Sequence, residues 1–285
     1  MTIYSLVGKR IEDGGWSGVC RFDWMLRQIF PDLKSITPAQ LPGRFNSGDV
    51  VIADNHLSLL VPDDIRTIVV HHGCAQTHFD RDADWRNDSA AAMVEQQRLM
   101  REKRNRRFVA PSRWVADEFA ACYQDDFLHE CYLIPHWVDR IERTPPPDPM
   151  PLIIGDWRDN NKGAGLRQHL ADRCRQWEFR QLQFKNDIEK RWQYARASLY
   201  LCLSLSEGGS YAMADAEAAR MPIVTTDTGN YREFKESGVI PWQMRDNLEL
   251  VAAAIERRLS SLRGASFYDS YSFEDWARSW LEVVS

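Results

Sequence analysis

Glu207 and Asp215 stand eight residues apart in the stretch "SEGGSYAMADAEAARMP", with Gly208 and Gly209 directly after the first acid. An apolar run, "ASLYLCLSL", precedes this stretch, and a second, "IVTT", follows it. The pattern predicts a buried strand, a sharp turn and a short helix beginning near Ser210 or Tyr211. Glu207 then lies just past the carboxyl end of the strand. Gly208 and Gly209 let the backbone approach a ligand with no Cβ in the way. The helix start offers N–H groups and the positive end of the dipole, a setting suited to phosphate. Asp215 falls about one turn into the helix, deeper than Glu207. Carboxylates so placed suit the hydroxyls of a sugar and a ribose. The same residues also fit an ordinary strand–helix turn with a dipole-matched acid.

Arg158 and Lys162 lie four residues apart in "GDWRDNNKG", after the strand "PLIIGD". An arginine can grip two phosphate oxygens and a lysine acts as a point charge, so the two suit a diphosphate. The alternative is a solvated charged loop. His71 and His72 end the strand "RTIVVHH", and their side chains must point to opposite faces. One packs into the structure and the other reaches a ligand, and alternation alone does not say which. No histidine pairs with Cys or Glu at metal-ligand spacing, so no metal site is expected. Six cations fall between Arg98 and Arg107. They read as a solvated helix end near its negative pole, or as a contact for an anionic acceptor or lipid.

The elements that must position these residues alternate. Short β-branched runs such as "DVVIAD" and "RTIVVHH" read as buried parallel strands, separated by helical patterns such as "GWSGVCRFDWMLRQIF" and "RWVADEFAACY". The linker "RTPPPDPMP" holds five prolines in nine residues and can be neither helix nor central strand. Strand–helix alternation on both sides of it predicts two doubly wound Rossmann-like α/β domains. Their expected limits are residues 1–142 and 152–270, joined by the linker 143–151, with a closing helix at 271–285 that packs back on the first domain. In such sheets ligands sit beyond the carboxyl ends of the strands, so two of them would face an interdomain cleft.

The chain has 285 residues and a net charge of -5, with more acids than bases in each half, which argues against a nucleic-acid partner. The six cysteines show no Cys-x-x-Cys spacing and read as reduced structural thiols. No charged leader and no long apolar run is present, so a cytoplasmic location is expected, with peripheral contact at the inner membrane face left open.

The stretch from Ser204 to Phe234 resembles the donor-site signature of retaining GT-B glycosyltransferases of the glycogen-synthase-like and mannosyltransferase-like group (glycosyl transferases group 1). Glu207, Gly208, Asp215, Pro222, Ile223, Val224 and Gly229 fall in its register. Asp215 stands where the family usually has Glu, and Gly209-Ser210-Tyr211-Ala212 replaces its aromatic-Gly-Leu-Pro. "GGWSGV", with Gly15, resembles the glycine-rich turn under the donor phosphates. "VVHHG" resembles the strand ending in a cleft histidine, "FVAPSRWVADEF" a further family segment, and "GDWRDNNKG" the segment that supplies cations to the diphosphate. "LIPHWVD" stands at the family's "IPNGVD", with His136 and Trp137 in place of Asn and Gly, and "YSFEDWARSWLEVV" resembles the closing helix.

The resemblance implies a metal-independent hexosyltransferase that retains anomeric configuration and needs no cofactor. A nucleotide-diphosphate sugar is the donor, and a glycan, lipid-linked or small-molecule hydroxyl is the acceptor. It implies an acceptor-binding first domain and a donor-binding second domain. Glu207, His72, Lys162 and Arg158 would be catalytic. Gly15, Arg158, Lys162, Glu207, Gly208, Gly209, Ser210, Tyr211 and Asp215 would bind the donor. Two other readings stand beside it: a non-catalytic nucleotide-sugar-binding subunit, and a GT-B epimerase or hydrolase acting on sugar nucleotides.

Overall fold

The computed structural model describes residues 1–8, 18–123, 131–143, 150–234, 237–261 and 265–285. They form two compact units: Met1–His136 with Phe273–Ser285, and Trp137–Ser272. Gly15 and residues 144–149 of the proline-rich linker lie outside the described residues.

The first unit is built on a six-stranded, all-parallel sheet in the order β2-β1-β3-β4-β5-β6. Its strands are β1 (Ile3–Leu6), β2 (Lys34–Ile36), β3 (Val50–Asp54), β4 (Arg66–Val70), β5 (Arg106–Ala110) and β6 (Cys131–Leu133). The β-branched runs take the centre: Val50, Val51, Ile52, Ile68, Val69 and Val70 are all buried. A strand with both faces covered needs side chains that are apolar at every position rather than alternately. Around it run α1 (Gly18–Ile29), α2 (Ala75–Arg81), α3 (Asp88–Glu102) and α4 (Arg113–Tyr123).

The C-terminal helix, Phe273–Val284, also belongs to this unit. It buries Trp276, Trp280, Val283 and Val284. Trp280 meets Phe22 of α1 with ring centroids 5.3 Å apart. The basic run serves this docking. Arg107 donates to Val283 O at 2.7 Å, and Arg66 donates to Val283 O and Ser285 O at 3.0 Å each. These bonds satisfy carbonyls at a helix end, where no intrahelical donor remains. Arg106, its side chain only 2% exposed, donates to Ile65 O, Thr67 Oγ1, Ser58 O and Val61 O. A solvated helix end describes Arg98, half exposed between Glu95 and Glu102, but not Arg106 and Arg107, which are spent inside the unit because β5 begins within the run.

The second unit carries a five-stranded parallel sheet, β11-β10-β9-β7-β8. Its strands are β7 (Leu152–Gly155), β8 (Glu178–Gln181), β9 (Leu199–Cys202), β10 (Ile223–Thr226) and β11 (Gly238–Ile240). Helices α5 (Ala164–Arg173), α6 (Asp187–Arg196), α7 (Tyr211–Ala218) and α8 (Leu248–Leu259) cover it, and the C-terminal helix becomes α9. Ile153, Leu170, Leu201, Val224, Val251 and Ile255 make its core. Residues 137–142, expected in the first domain, and Arg143, expected in the linker, belong to this unit. Ile141 N donates to Ala218 O at 3.4 Å, and Arg143 donates to Ala197 O at 3.0 Å.

Both sheets have the same logic. The second strand of each lies on one side of the first and the third strand on the other. The crevice where strand order reverses is the ligand position of doubly wound sheets. In the second unit it lies between β7 and β9, and the loops leaving those two strands carry Lys162 and Glu207.

None of the six cysteines is in a disulfide. No helix among the described residues is long and apolar enough to cross a membrane.

Candidate active site

The loop after β7 and the loop after β9 are joined side by side. Asn161, 9% exposed, accepts Ser206 N on its Oδ1 at 3.1 Å and donates Nδ2 to Ser206 O at 3.2 Å. Its own carbonyl accepts Leu205 N at 2.9 Å. The next residue on each loop is functional in type: Lys162 Nζ donates to Glu207 Oε1. Glu207 Oε1 also accepts Ser204 Oγ at 2.9 Å. The Lys162 and Glu207 side chains are 17% and 11% exposed. Burial pulls the Lys162 ammonium down, but the charge of Glu207 and its hydrogen bond outweigh it, leaving the pKa above the ordinary lysine value.

Two glycines allow this approach. Gly163 has φ +84°, and a Cβ on it would stand 3.0 Å from Leu203 Cβ. Gly229 has φ +64°, and a Cβ there would meet Glu207 Cβ and Gly208 O, each at 3.0 Å. Both sit in the left-handed region that favours glycine. Ser210 caps α7, its side chain accepting Met213 N at 3.3 Å, and its own N–H goes to Asn230 Oδ1 at 2.7 Å. The helix therefore starts at Tyr211, with its positive end at the turn carrying Glu207, Gly208 and Gly209.

Arg158 is not part of this contact. It is 68% exposed and forks onto Asp156, Nε to Oδ1 at 2.7 Å and Nη2 to Oδ2 at 2.8 Å. Asp156 also receives Gln181 Nε2 at 3.3 Å. Asp215 lies on the inner side of α7, 2% exposed, where Lys190 Nζ reaches its Oδ1 at 3.4 Å. Lys190, 4% exposed, also meets Asp187 Oδ1 at 2.7 Å. So Asp215 is one half of an ion pair more deeply enclosed than that of Glu207.

In the first unit the two histidines separate as their alternation requires. His71 is wholly buried, stacked at 3.9 Å on Phe119 and 5.4 Å from Phe108, with Nδ1 3.4 Å from Asn55 Oδ1. His72 keeps 14% side-chain exposure, and its Nε2 lies 3.7 Å from Asp54 Oδ1. Burial lowers the His72 pKa, and the Asp54 charge only partly offsets that. Burial raises Asp54 in turn. His136, in place of the family's Asn, is 2% exposed and stacks at 5.9 Å from His72, beside Phe22. His78 stacks on Trp85 at 4.3 Å, away from these groups in the chain.

Sequence reasoning missed Asn161, Ser204, Asn230, Lys190, Asp54 and Arg245. Asn161 and Ser204 stood within the quoted motifs. Lys190 and Arg245 carry no local signal for these roles, because Asp215 and the Asn161 carbonyl that they reach are 25 residues or more away in the chain. Among the described residues, no three His, Cys, Asp or Glu side chains gather as a metal-ligand set.

No protein-family model matches the sequence, and no curated protein matches it. Solved structures do match. The sucrose-phosphate synthase of Thermosynechococcus elongatus is similar with a TM-score of 0.65 at 11% identity, over 100% of this chain and 94% of its own. The trehalose-6-phosphate synthase OtsA gives 0.65 at 8% identity, over 100% of this chain and 99% of its own. The chain has the GT-B fold of glycosyltransferases. The pneumococcal O-GlcNAc transferase GtfA, solved with UDP and GlcNAc, gives 0.55 at 16% identity over 84% of this chain. The chain spans only 57% of GtfA and 55% of TarM, another matching structure.

Proposed function

We propose that this GT-B chain is a retaining, metal-independent glycosyltransferase that moves a sugar from a nucleotide-diphosphate sugar to an acceptor hydroxyl. The observation that carries the reading is the meeting of Lys162 and Glu207 at the β7/β9 crevice, beside the start of α7. Bond breakage at the anomeric carbon leaves negative charge on the departing diphosphate. A mostly enclosed ammonium and a helix N-terminus are preorganised for that charge, and such preorganisation is a large term in catalysis. Arg158 adds to it by exchanging Asp156 for phosphate, an exchange its exposure permits. Glu207 takes donor-sugar hydroxyls, with Ser204 steadying one oxygen. Gly208, Gly209, Ser210 and Tyr211 form the backbone cradle. Asp215 is assigned to the ribose, with Lys190 holding its first oxygen. Gly15 is assigned to the donor phosphates and His72 to the reacting sugar or acceptor hydroxyl. UDP and sugars in the GtfA structure support a nucleotide sugar as the donor class.

The test is direct. The purified chain is screened by thermal shift against UDP-, GDP- and ADP-sugars, and transfer or hydrolysis is then followed by mass spectrometry in excess EDTA. Lys162→Ala should weaken nucleoside diphosphate binding by about 1.5–3 kcal/mol, the range for hydrogen bonds to charged groups. Unchanged affinity in Lys162→Ala, or activity that is lost in EDTA and restored by Mg²⁺, would overturn the assignment.

A further inference from the structure

Arg245 follows β11 and a short turn at Trp242–Met244, and it is only 6% exposed. Its guanidinium reaches back to both loops of the crevice. Nη1 donates to Asn161 O and Leu203 O at 2.9 Å each, and Nη2 donates to Asn160 O at 3.1 Å. Nε lies 3.6 Å from Asp246 Oδ1. The three carbonyls belong to segments that have left β7 and β9. Asn160 O also accepts Gly163 N at 3.0 Å and Asn161 O accepts Leu205 N at 2.9 Å, so the guanidinium adds a second bond to each and ties them to Leu203 O. A planar guanidinium can bridge several carbonyls at fixed angles. A lysine has one mobile nitrogen and cannot span the same set.

We infer that Arg245, with Asn161, is the positioning residue of the Lys162–Glu207 pair. The register argument is short. Asn161 bonds to Leu205 and Ser206 through its carbonyl and both ends of its side-chain amide. Lys162 and Glu207 are the next residues on the two chains, so their separation is set one residue away. Arg245 fixes the carbonyls at the base of the same joint, Asn160, Asn161 and Leu203. It touches neither reactive side chain in these bonds; it acts through the loops. The turn that holds Arg245 is itself anchored, since Trp242 N donates to Asp227 Oδ1 at 2.7 Å and Asp227 N donates to Ile240 O at 3.0 Å. Loops from β7, β9 and β10 to β11 thereby converge on one buried cation. Its permanent charge also adds to the positive potential beneath the crevice.

This inference rests on the reading of Lys162 as the diphosphate cation, and a double-mutant cycle separates the two. The probe is whichever of UDP, GDP or ADP binds the unmodified chain most tightly. Affinity is read by calorimetry, and folding by thermal unfolding and circular dichroism. Arg245→Lys should weaken the nucleotide by about tenfold, the scale of loss when a reacting group is displaced by part of an ångström. In a Lys162→Ala background the same change should cost less than about twofold, because the group it positions is gone. Asn161→Ala should repeat the pattern and carries the test if Arg245→Lys does not fold. A lower melting temperature with nucleotide affinity unchanged would make Arg245 merely structural and overturn the inference. Equal losses in both backgrounds would do the same, since Arg245 would then act elsewhere. Lys162→Ala with unaltered nucleotide affinity would overturn the functional reading itself, and this inference with it.

Discussion

Replacing Glu207 by Gln should make nucleoside diphosphate bind more tightly while slowing sugar transfer. Glu207 is the counter-ion of Lys162. A diphosphate must share that ammonium with the carboxylate and tolerate its charge. Contact charges at an effective dielectric near 20 attract by roughly 4–5 kcal/mol before desolvation. The net value of a charged hydrogen bond is about 1.5–3 kcal/mol, and of a neutral one about 0.5–1.5 kcal/mol. Glutamine keeps the shape and the acceptor for Ser204, so the change removes roughly the difference. Nucleotide binding should therefore tighten by about 1–1.5 kcal/mol, or roughly five- to tenfold. The donor sugar loses its charged partner, so kcat should fall. Lys162 supplies a second readout. Its pKa is held up by Glu207 against the pull of burial, so the folded value lies above the unfolded one. The stability it contributes is complete below the unfolded pKa and is lost as pH rises through the folded value. Without Glu207 only the smaller pull of Cys202 and Asp156 is left against burial, so Lys162 should titrate lower than in the unmodified chain and nucleotide affinity should fade earlier on the alkaline side. Calorimetry across pH on both proteins measures this. Weaker or unchanged nucleotide binding in a well-folded Glu207→Gln would refute the counter-ion argument.

Gly229→Ala should cost about 1–3 kcal/mol in unfolding, because it forces a side chain into the left-handed region against Glu207 and Gly208; it should also lower kcat/KM, whereas a stability loss with normal kinetics would detach Gly229 from the site. Burial depresses the pKa of His71, His72 and His136 below the unfolded value near 6.5, so their neutral forms favour folding fully above that value. Thermal stability should fall as pH drops from about 6.5 through the folded values, and His71→Phe should flatten the fall; an unchanged slope would contradict it. Arg107→Ala should cost about 1.5–3 kcal/mol by removing one of the two guanidinium bonds to Val283 O at the end of α9 while leaving nucleotide binding alone, as unfolding and calorimetry on one sample would reveal.

The apolar runs and their separating helices determine most of the architecture from sequence. β-Branched runs such as Val50–Ala53 and Ile223–Thr226 have few ways to be buried other than as central parallel strands. The strand, two glycines and Ser210 likewise specify where Glu207 leaves the sheet and where α7 begins, because these are local steric facts. Alternation separates His71 from His72, but it does not say which faces the core; that needs Phe108 and Phe119. Tertiary structure alone decided the rest. Lys162 and Glu207 are 45 residues apart and meet only because strand order reverses between β7 and β9. Arg158, equivalent to Lys162 in sequence, turns to Asp156 instead. Asp215 and Lys190 became an enclosed pair once α6 and α7 packed. Arg107 of the basic run, with Arg66, came to hold the end of α9, which no local pattern announced. Arg245 has no sequence signal, because the Asn160, Asn161 and Leu203 carbonyls that it gathers come together only after two strands have ended. Local pattern selects elements through backbone and side-chain sterics, whereas long-range polar partners are chosen by whichever groups packing leaves unsatisfied.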